Sequence, residues 1–240
     1  MKNKKILIII LIIAVIFIIG IIYMLLSNTY SSKDAKKFAY EYESLNNTKR
    51  EKDGKTIRSI KIPKDNPIVY SNEDEIVEKI KNKDTFLVYF GFDDCPWCRS
   101  VILNLLDAAK DLELDKIYYV NVFEIRDTIE VKDDKLETTK RGTKGYYELL
   151  KLLDNVIDDY TVTNDEGEEI STQEKRIFAP TVVAIVNGQA EKATDGISDK
   201  QTDGYMELTD KMNKESYNKF KCVINCLIEE QNICKNDSKC

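Results

Sequence analysis

Histidine is absent from all 240 residues of this chain. That removes the side chain most used as a neutral-pH proton acceptor, and with it the commonest nitrogen ligand of zinc. Cysteine is scarce and clustered, with two residues at 95 and 98 and four between 222 and 240. A structural zinc site needs four ligands, usually as a second C-x-x-C or a histidine pair. The four distal cysteines lie more than 120 residues past Cys98 and are irregularly spaced. No metal and no cofactor are therefore expected at Cys95 and Cys98. Basic excess is missing too: 36 Lys and Arg are interleaved with 42 Asp and Glu, for a net charge of −6. A nucleic-acid partner is excluded on that balance. The chain shows no internal repeat.

Charge is also missing from one long run. Ile6 to Leu26 carries none and has almost no polar residue, and Lys2, Lys4 and Lys5 precede it. About 20 apolar residues span a hydrocarbon core as a helix. The first basic residue after the run is Lys33, so the positive-inside rule keeps residues 1–5 cytoplasmic and exports the chain beyond the run. A cleaved signal peptide is the alternative, but it usually has a shorter apolar region and an A-x-A-like site, which is missing after Leu26. The lipid bilayer is thus an expected partner, through a single-pass anchor at 6–26.

What is present is concentrated at Cys95-Pro96-Trp97-Cys98. The motif follows the apolar run Phe86–Phe90 and opens a helical pattern at Val101, Ile102, Leu105, Leu106 and Ala109. A sulfur at a helix N-terminus faces unpaired N–H groups and the positive end of the dipole, which favours its thiolate. A second sulfur one turn inside can resolve a mixed disulfide. Cys95 is expected to be the exposed nucleophile and Cys98 the resolving thiol. Trp97 is placed against substrate or over the sulfur. Asp93 and Asp94 oppose the thiolate or cap the helix, Arg99 either stabilises the thiolate or points to solvent, and Lys175 and Arg176 add positive potential.

Residues 27–66 read as a polar linker. Within it lie a short amphipathic helix at Ala35–Leu45 and an edge strand or extended segment at Ile57, Ile60 and Ile62. Ser71 is expected to cap a helix burying Ile76, Val77 and Ile80. Lys116–Val122 is a β-rich run. Residues 124–176 form an insertion: a charged loop, a helix near Gly142–Asp159, and a hairpin pairing Tyr160–Thr163 with Glu169–Thr172. Thr181–Val186 is a buried strand, Glu191–Thr194 its edge partner, and a last helix runs from Lys200 or Asp203 to Glu230.

In this order, Phe86–Phe90, Cys95-Pro96-Trp97-Cys98, Lys116–Val122 and Ala179-Pro180-Thr181 at the head of Thr181–Val186 resemble the thioredoxin superfamily. Within it the layout resembles membrane-tethered thioredoxin-like proteins of Gram-positive bacteria, including bacteriocin transport accessory proteins. The resemblance implies an α/β thioredoxin-like fold, a central mixed sheet flanked by helices, over 67–230. It implies a cis Pro180, with Ala179, Pro180 and Thr181 bordering a substrate groove. Two departures stand out. Cys95 and Pro180 are 85 residues apart, about twice the family spacing. Tyr89 also occupies the place of a buried aspartate that moves protons for the inner cysteine, and an ordinary tyrosine pKa of about 10 suits it poorly to that work.

Cys222 and Cys226 lie four apart on the last helix, so their Cβ atoms are about 5–6 Å apart, too far for direct bridging. Each is expected to pair with Cys234 or Cys240 in the tail at 231–240. A nested pairing and a crossed one are both open, with a four-cysteine zinc site as a further alternative. The expectation is an extracytoplasmic thiol–disulfide oxidoreductase acting on exported cysteine-containing proteins or peptides, leaning to disulfide formation or exchange. Its alternatives are a non-catalytic accessory protein for an exported peptide and a disulfide reductase fed by a membrane redox partner.

Overall fold

The computed structural model describes residues 2–133, 135–164 and 166–228, with side chains at 2–10, 22–32 and 228 left aside. The first helix, α1 (Lys2–Ser44), runs for 43 residues. Among the described residues no helix is long and apolar enough to cross a membrane. Of the expected span Ile6–Leu26, side chains are described only from 11 to 21, and the rest lies outside them. Leu11, Ile16 and Phe17 there are 64%, 64% and 70% exposed.

The last turns of α1 behave differently. Ala35, Phe38, Ala39 and Tyr42 recur at helical spacing and are all buried, so the helix lays an apolar stripe on the domain. The stretch read as a linker therefore supplies Phe38, Ala39, Tyr42, Ile60 and Ile62 to a core cluster. Ile57, Ile60 and Ile62 are buried without forming a strand. The edge strand is instead β1 (Ile68–Tyr70).

Helix α2 (Glu73–Lys81) buries Ile76, Val77 and Ile80 as expected, but its cap is Asn72, not Ser71. Asn72 has the extended backbone a cap requires, and its side chain accepts the Glu75 N–H at 3.0 Å. The Ser71 hydroxyl reaches the Glu75 carboxylate at 2.8 Å. Then come β2 (Phe86–Gly91), α3 (Pro96–Asp111), β3 (Ile117–Asn121) and the short α4 (Val122–Ile125).

The insertion holds more regular structure than its sequence suggests. Its charged loop contains a hairpin, β4 (Thr128–Lys132) with β5 (Lys135–Lys140). Every described residue of β5 is exposed, so no inward–outward alternation marks it. Helix α5 (Lys144–Leu152) is shorter than expected and ends at Leu153. The second hairpin, β6 (Asp158–Thr163) with β7 (Glu169–Arg176), falls where the sequence places it. The buried Tyr160 hydroxyl bonds both the N–H and the C=O of Ile129 at 3.3 Å, joining the two hairpins.

Strands β8 (Thr181–Val186) and β9 (Gln189–Thr194) complete a five-stranded sheet in the order β1-β3-β2-β8-β9. β1, β3 and β2 run parallel, whereas β8 is antiparallel to β2 and to β9. The β1-β3-β2 order loosely resembles a thioredoxin-like sheet. Strand β2 is central and buried throughout. Leu87 and Tyr89 face the cluster formed with α1, α3 and α6 (Asp210–Ile228), while Phe86, Val88 and Phe90 face α2 and α5.

The last helix starts at Asp210, not near Lys200 or Asp203. Residues 201–206 are used otherwise. Gln201 donates to the Ser100 hydroxyl at 2.9 Å, and Tyr205 donates to Asp53 at 2.6 Å. A Cβ on Gly204 would lie 2.8 Å from Pro96 Cβ. That loop therefore lies directly on the start of α3. Cys222 and Cys226 are disulfide-bonded. The pairing with Cys234 and Cys240 falls outside the described residues, as does Glu230.

Candidate active site

Strand β2 delivers the chain to a turn at Phe92–Asp94, and α3 begins at once. Its cap is Cys95 itself, whose sulfur accepts the Cys98 N–H at 3.2 Å. Pro96 occupies the first helical position, where its missing N–H and fixed φ cost nothing. On its other side the Cys95 thiol donates to the Ala179 carbonyl at 3.4 Å. The Ala179–Pro180 peptide is cis, as the resemblance implies. The fold thus brings together residues 84 apart in sequence at one sulfur.

Trp97, Ala179, Pro180 and Thr181 all line one cleft of about 550 Å³, together with Ile157 from the insertion, Phe178 just after it and Val223 of α6. Cys95 and Cys98 are free thiols. Cys95 is only 3% exposed, which corrects the expectation of an exposed nucleophile. It is covered because it packs in one cluster with Phe92, Cys98 and Trp97 and hydrogen-bonds the Ala179 loop.

Burial works against a Cys95 thiolate. The Cys98 thiol, the N–H groups of Cys98 and Trp97, and the Arg126 guanidinium outweigh it and bring the pKa below the ordinary thiol value. Cys98 moves the other way: complete burial, then the neighbouring Cys95 sulfur, push its pKa well up. The Phe92 N–H and the Tyr89 hydroxyl work against that rise and do not overcome it. One thiol is poised to ionise and the other to keep its proton, an asymmetry suited to attack followed by resolution.

Arg126 carried no signal in the sequence. It caps the end of α4 and stacks 5.2 Å from the Phe92 ring centroid and 5.6 Å from that of Phe123. Burial and the neighbouring Arg176 lower its own pKa, yet a guanidinium stays charged at neutral pH. Arg176 was expected to add positive potential, but its charge is taken up by Asp127 at 3.1 Å, with both side chains buried. Lys175 pairs with Asp159 at 3.0 Å.

Arg99 follows neither expectation. It is 1% exposed and donates to the carbonyls of Tyr42, Arg58 and Asp93 and to the Asn46 side chain. It is a brace under the turn that carries Cys95. The carboxylates before the motif do not cap α3. Asp93 accepts the N–H of Asp94 at 3.1 Å, and burial raises its pKa. Asp94 pairs with Arg50 at 3.3 Å. Tyr89 is buried, and its hydroxyl lies 3.1 Å from that of Tyr42. Among the described residues no cluster of three or more metal-ligating side chains occurs.

Comparison of the chain with protein-family models, with curated proteins and with solved structures gives no match.

Proposed function

We propose that this chain is a membrane-anchored thiol–disulfide oxidoreductase of the thioredoxin superfamily, acting outside the cytoplasm on cysteines of exported proteins or peptides. The observation that carries the reading is the Cys95 sulfur, held between the first N–H groups of α3 and the carbonyl of Ala179. The Cys95 thiolate attacks a disulfide sulfur of the substrate. A Cys95–substrate bond forms, the substrate S–S bond breaks, and one substrate thiol departs. Cys98 then attacks Cys95, closing the Cys95–Cys98 bond and releasing the second thiol. The reverse sequence places a disulfide in a reduced substrate. A depressed Cys95 pKa stabilises the reduced pair, as in oxidising members of this chemistry, and supports a lean to disulfide formation or exchange. The anchor rests on Ile6–Leu26 behind its lysines, with the exposed apolar side chains from Leu11 to Ile21 in keeping.

The burial of Cys95 favours a second reading. In it the chain is an accessory protein that holds an exported peptide in the cleft, and the two cysteines form a lasting bridge. Cys95→Ser in the full-length protein separates the two. The oxidoreductase loses exchange with a cysteine-peptide disulfide, whereas the accessory protein loses stability and keeps its peptide. A disulfide reductase fed from the membrane would instead show a reducing potential, near about −270 mV.

A further inference from the structure

Part of the cleft beside Cys95 is built by the insertion. Val156 and Ile157 reach it from the turn between α5 and β6. That turn is tied down: Asn155 donates to the Ala190 carbonyl of β9 at 2.7 Å, and Lys175 of β7 donates to the Ile157 carbonyl at 3.2 Å. Phe178 lines the same cleft and is 38% exposed, whereas the core residues Phe90 and Phe220 are each 0% exposed. Its ring stands edge-on to Tyr160 of β6 with centroids 6.2 Å apart, and Arg176 of β7 lies 3.9 Å over Tyr160. The insertion thus holds the Phe178 ring in place and leaves part of it open.

Phe178 is also tied to the nucleophile. Its carbonyl accepts the Thr181 hydroxyl at 2.8 Å, which fixes the turn, and the next carbonyl, that of Ala179, accepts the Cys95 thiol at 3.4 Å. The open ring is therefore one residue from the carbonyl that the sulfur touches. Charged groups reach the cleft as well, but most are spent. Arg176 is paired with Asp127 at 3.1 Å and Lys219 with Asp199 at 2.7 Å. Asp195 accepts the Ile197 N–H at 2.9 Å. That leaves Lys192 against Asp158 and Asp195, close to balance. The cleft offers a substrate little net charge and a fixed apolar wall.

We propose that Phe178, with Val156 and Ile157, forms a specificity subsite for a large apolar side chain directly beside the substrate cysteine. The preferred substrates are then exported peptides with phenylalanine or a branched aliphatic residue next to that cysteine. This rests on the oxidoreductase reading and names its substrate class. Consecutive residues of an extended peptide are about 3.3 Å apart, so a residue next to a cysteine linked to Cys95 reaches past Ala179 to Phe178. Covering the open ring with that side chain removes apolar surface of both partners from water, which favours the complex.

The test uses the reduced full-length protein in detergent and the homodisulfides of short capped peptides. Each peptide has a central cysteine flanked on both sides by phenylalanine, serine or lysine. The Cys95 thiolate attacks one peptide sulfur: the Cys95–peptide bond forms, the peptide disulfide breaks and the second peptide leaves as its thiolate. The mixed disulfide is acid-quenched and quantified by mass. Each rate is divided by that of the same peptide with reduced glutathione, which removes differences in the disulfides themselves.

The phenylalanine peptide should react about tenfold faster than the serine peptide, the scale of burying one apolar side chain in part. In Phe178→Ala that ratio should fall towards one, and in Val156→Ala it should fall by less. A ratio taken within one variant cancels any change in the thiol common to both peptides, and urea unfolding of each variant checks the fold. Equal rates for the two peptides with the wild type would overturn the inference and leave the oxidoreductase reading standing. So would a lysine peptide that reacts fastest, since Asp158 and Asp195 would then choose the substrate. An unchanged ratio in both variants would also overturn it. If the wild type forms no mixed disulfide with any peptide, the oxidoreductase reading fails and takes the inference with it.

Discussion

Cys95 and Cys98 sit one helical turn apart, yet they belong to two unlike regions. The mouth around Cys95 is built from backbone: the N–H groups that open α3, the Ala179 carbonyl beside Pro180, and one cation, Arg126. The floor behind Cys98 is built from side chains: Tyr89, Tyr42 and Tyr119, braced by the buried Arg99. Burial opposes ionisation of both sulfurs, so burial does not tell them apart. What separates them is the number of donors aimed at each. Backbone N–H groups and a guanidinium win at Cys95, while at Cys98 two donors face complete burial and a neighbouring sulfur and lose.

Removing one region's sulfur while keeping the other has the largest expected effect. Cys98→Ala leaves the mouth intact and takes away resolution, so the Cys95–peptide disulfide should accumulate to near stoichiometry, as read by mass after an acid quench. Failure to trap any adduct would erase the distinction between the two thiols.

Next comes the brace. Arg99→Met leaves the carbonyls of Tyr42, Arg58 and Asp93 without their donor. At ~1–3 kcal/mol for each buried group left unsatisfied, the loss should be at least about 3 kcal/mol in urea unfolding. A loss under about 1 kcal/mol would mean that water replaces the guanidinium and that the floor is looser than described.

Arg126→Gln acts first at the mouth, with a smaller effect on Cys98. Removing the cation should raise the Cys95 pKa toward the ordinary thiol value. Alkylation depends on the thiolate and falls about tenfold for each pH unit below the pKa. The variant should therefore alkylate more slowly than wild type at acidic and neutral pH and converge with it once both are ionised. An unchanged profile would leave the backbone donors of α3 as the whole cause. The smallest effect is expected at Trp97, which lines the cleft without touching the proton chemistry. Trp97→Ala should raise KM for a peptide substrate by about fivefold, near 1 kcal/mol of lost contact, with kcat little changed.

The same division governs what could be read in the sequence. The mouth is local: a C-x-x-C between an apolar strand and a helical pattern announces itself, and the proline before Thr181–Val186 gives its partner. The floor is long-range. Tyr42 shows in the sequence as one residue of an amphipathic stripe, and only the packing of α1 against the sheet puts its hydroxyl 3.1 Å from that of Tyr89 and 3.2 Å from the Phe92 carbonyl. Arg126 follows a four-residue helix with no pattern of its own. Elsewhere the misses share a cause. β1 has three residues, β5 is exposed on both faces, and the polar stretch at 200–209 is held against Pro96 and Ser100 by contacts that no periodicity encodes. The covering of Cys95 belongs to the same class.

The most direct test of the account is the redox equilibrium of the Cys95–Cys98 pair in the full-length protein, titrated against reduced and oxidised glutathione. The account predicts a reversible two-electron transition at or above about −180 mV, the range of disulfide-forming and exchanging proteins. A reversible value near about −270 mV would contradict that lean and make the protein a reductant. A pair that never equilibrates with glutathione would contradict the oxidoreductase reading itself.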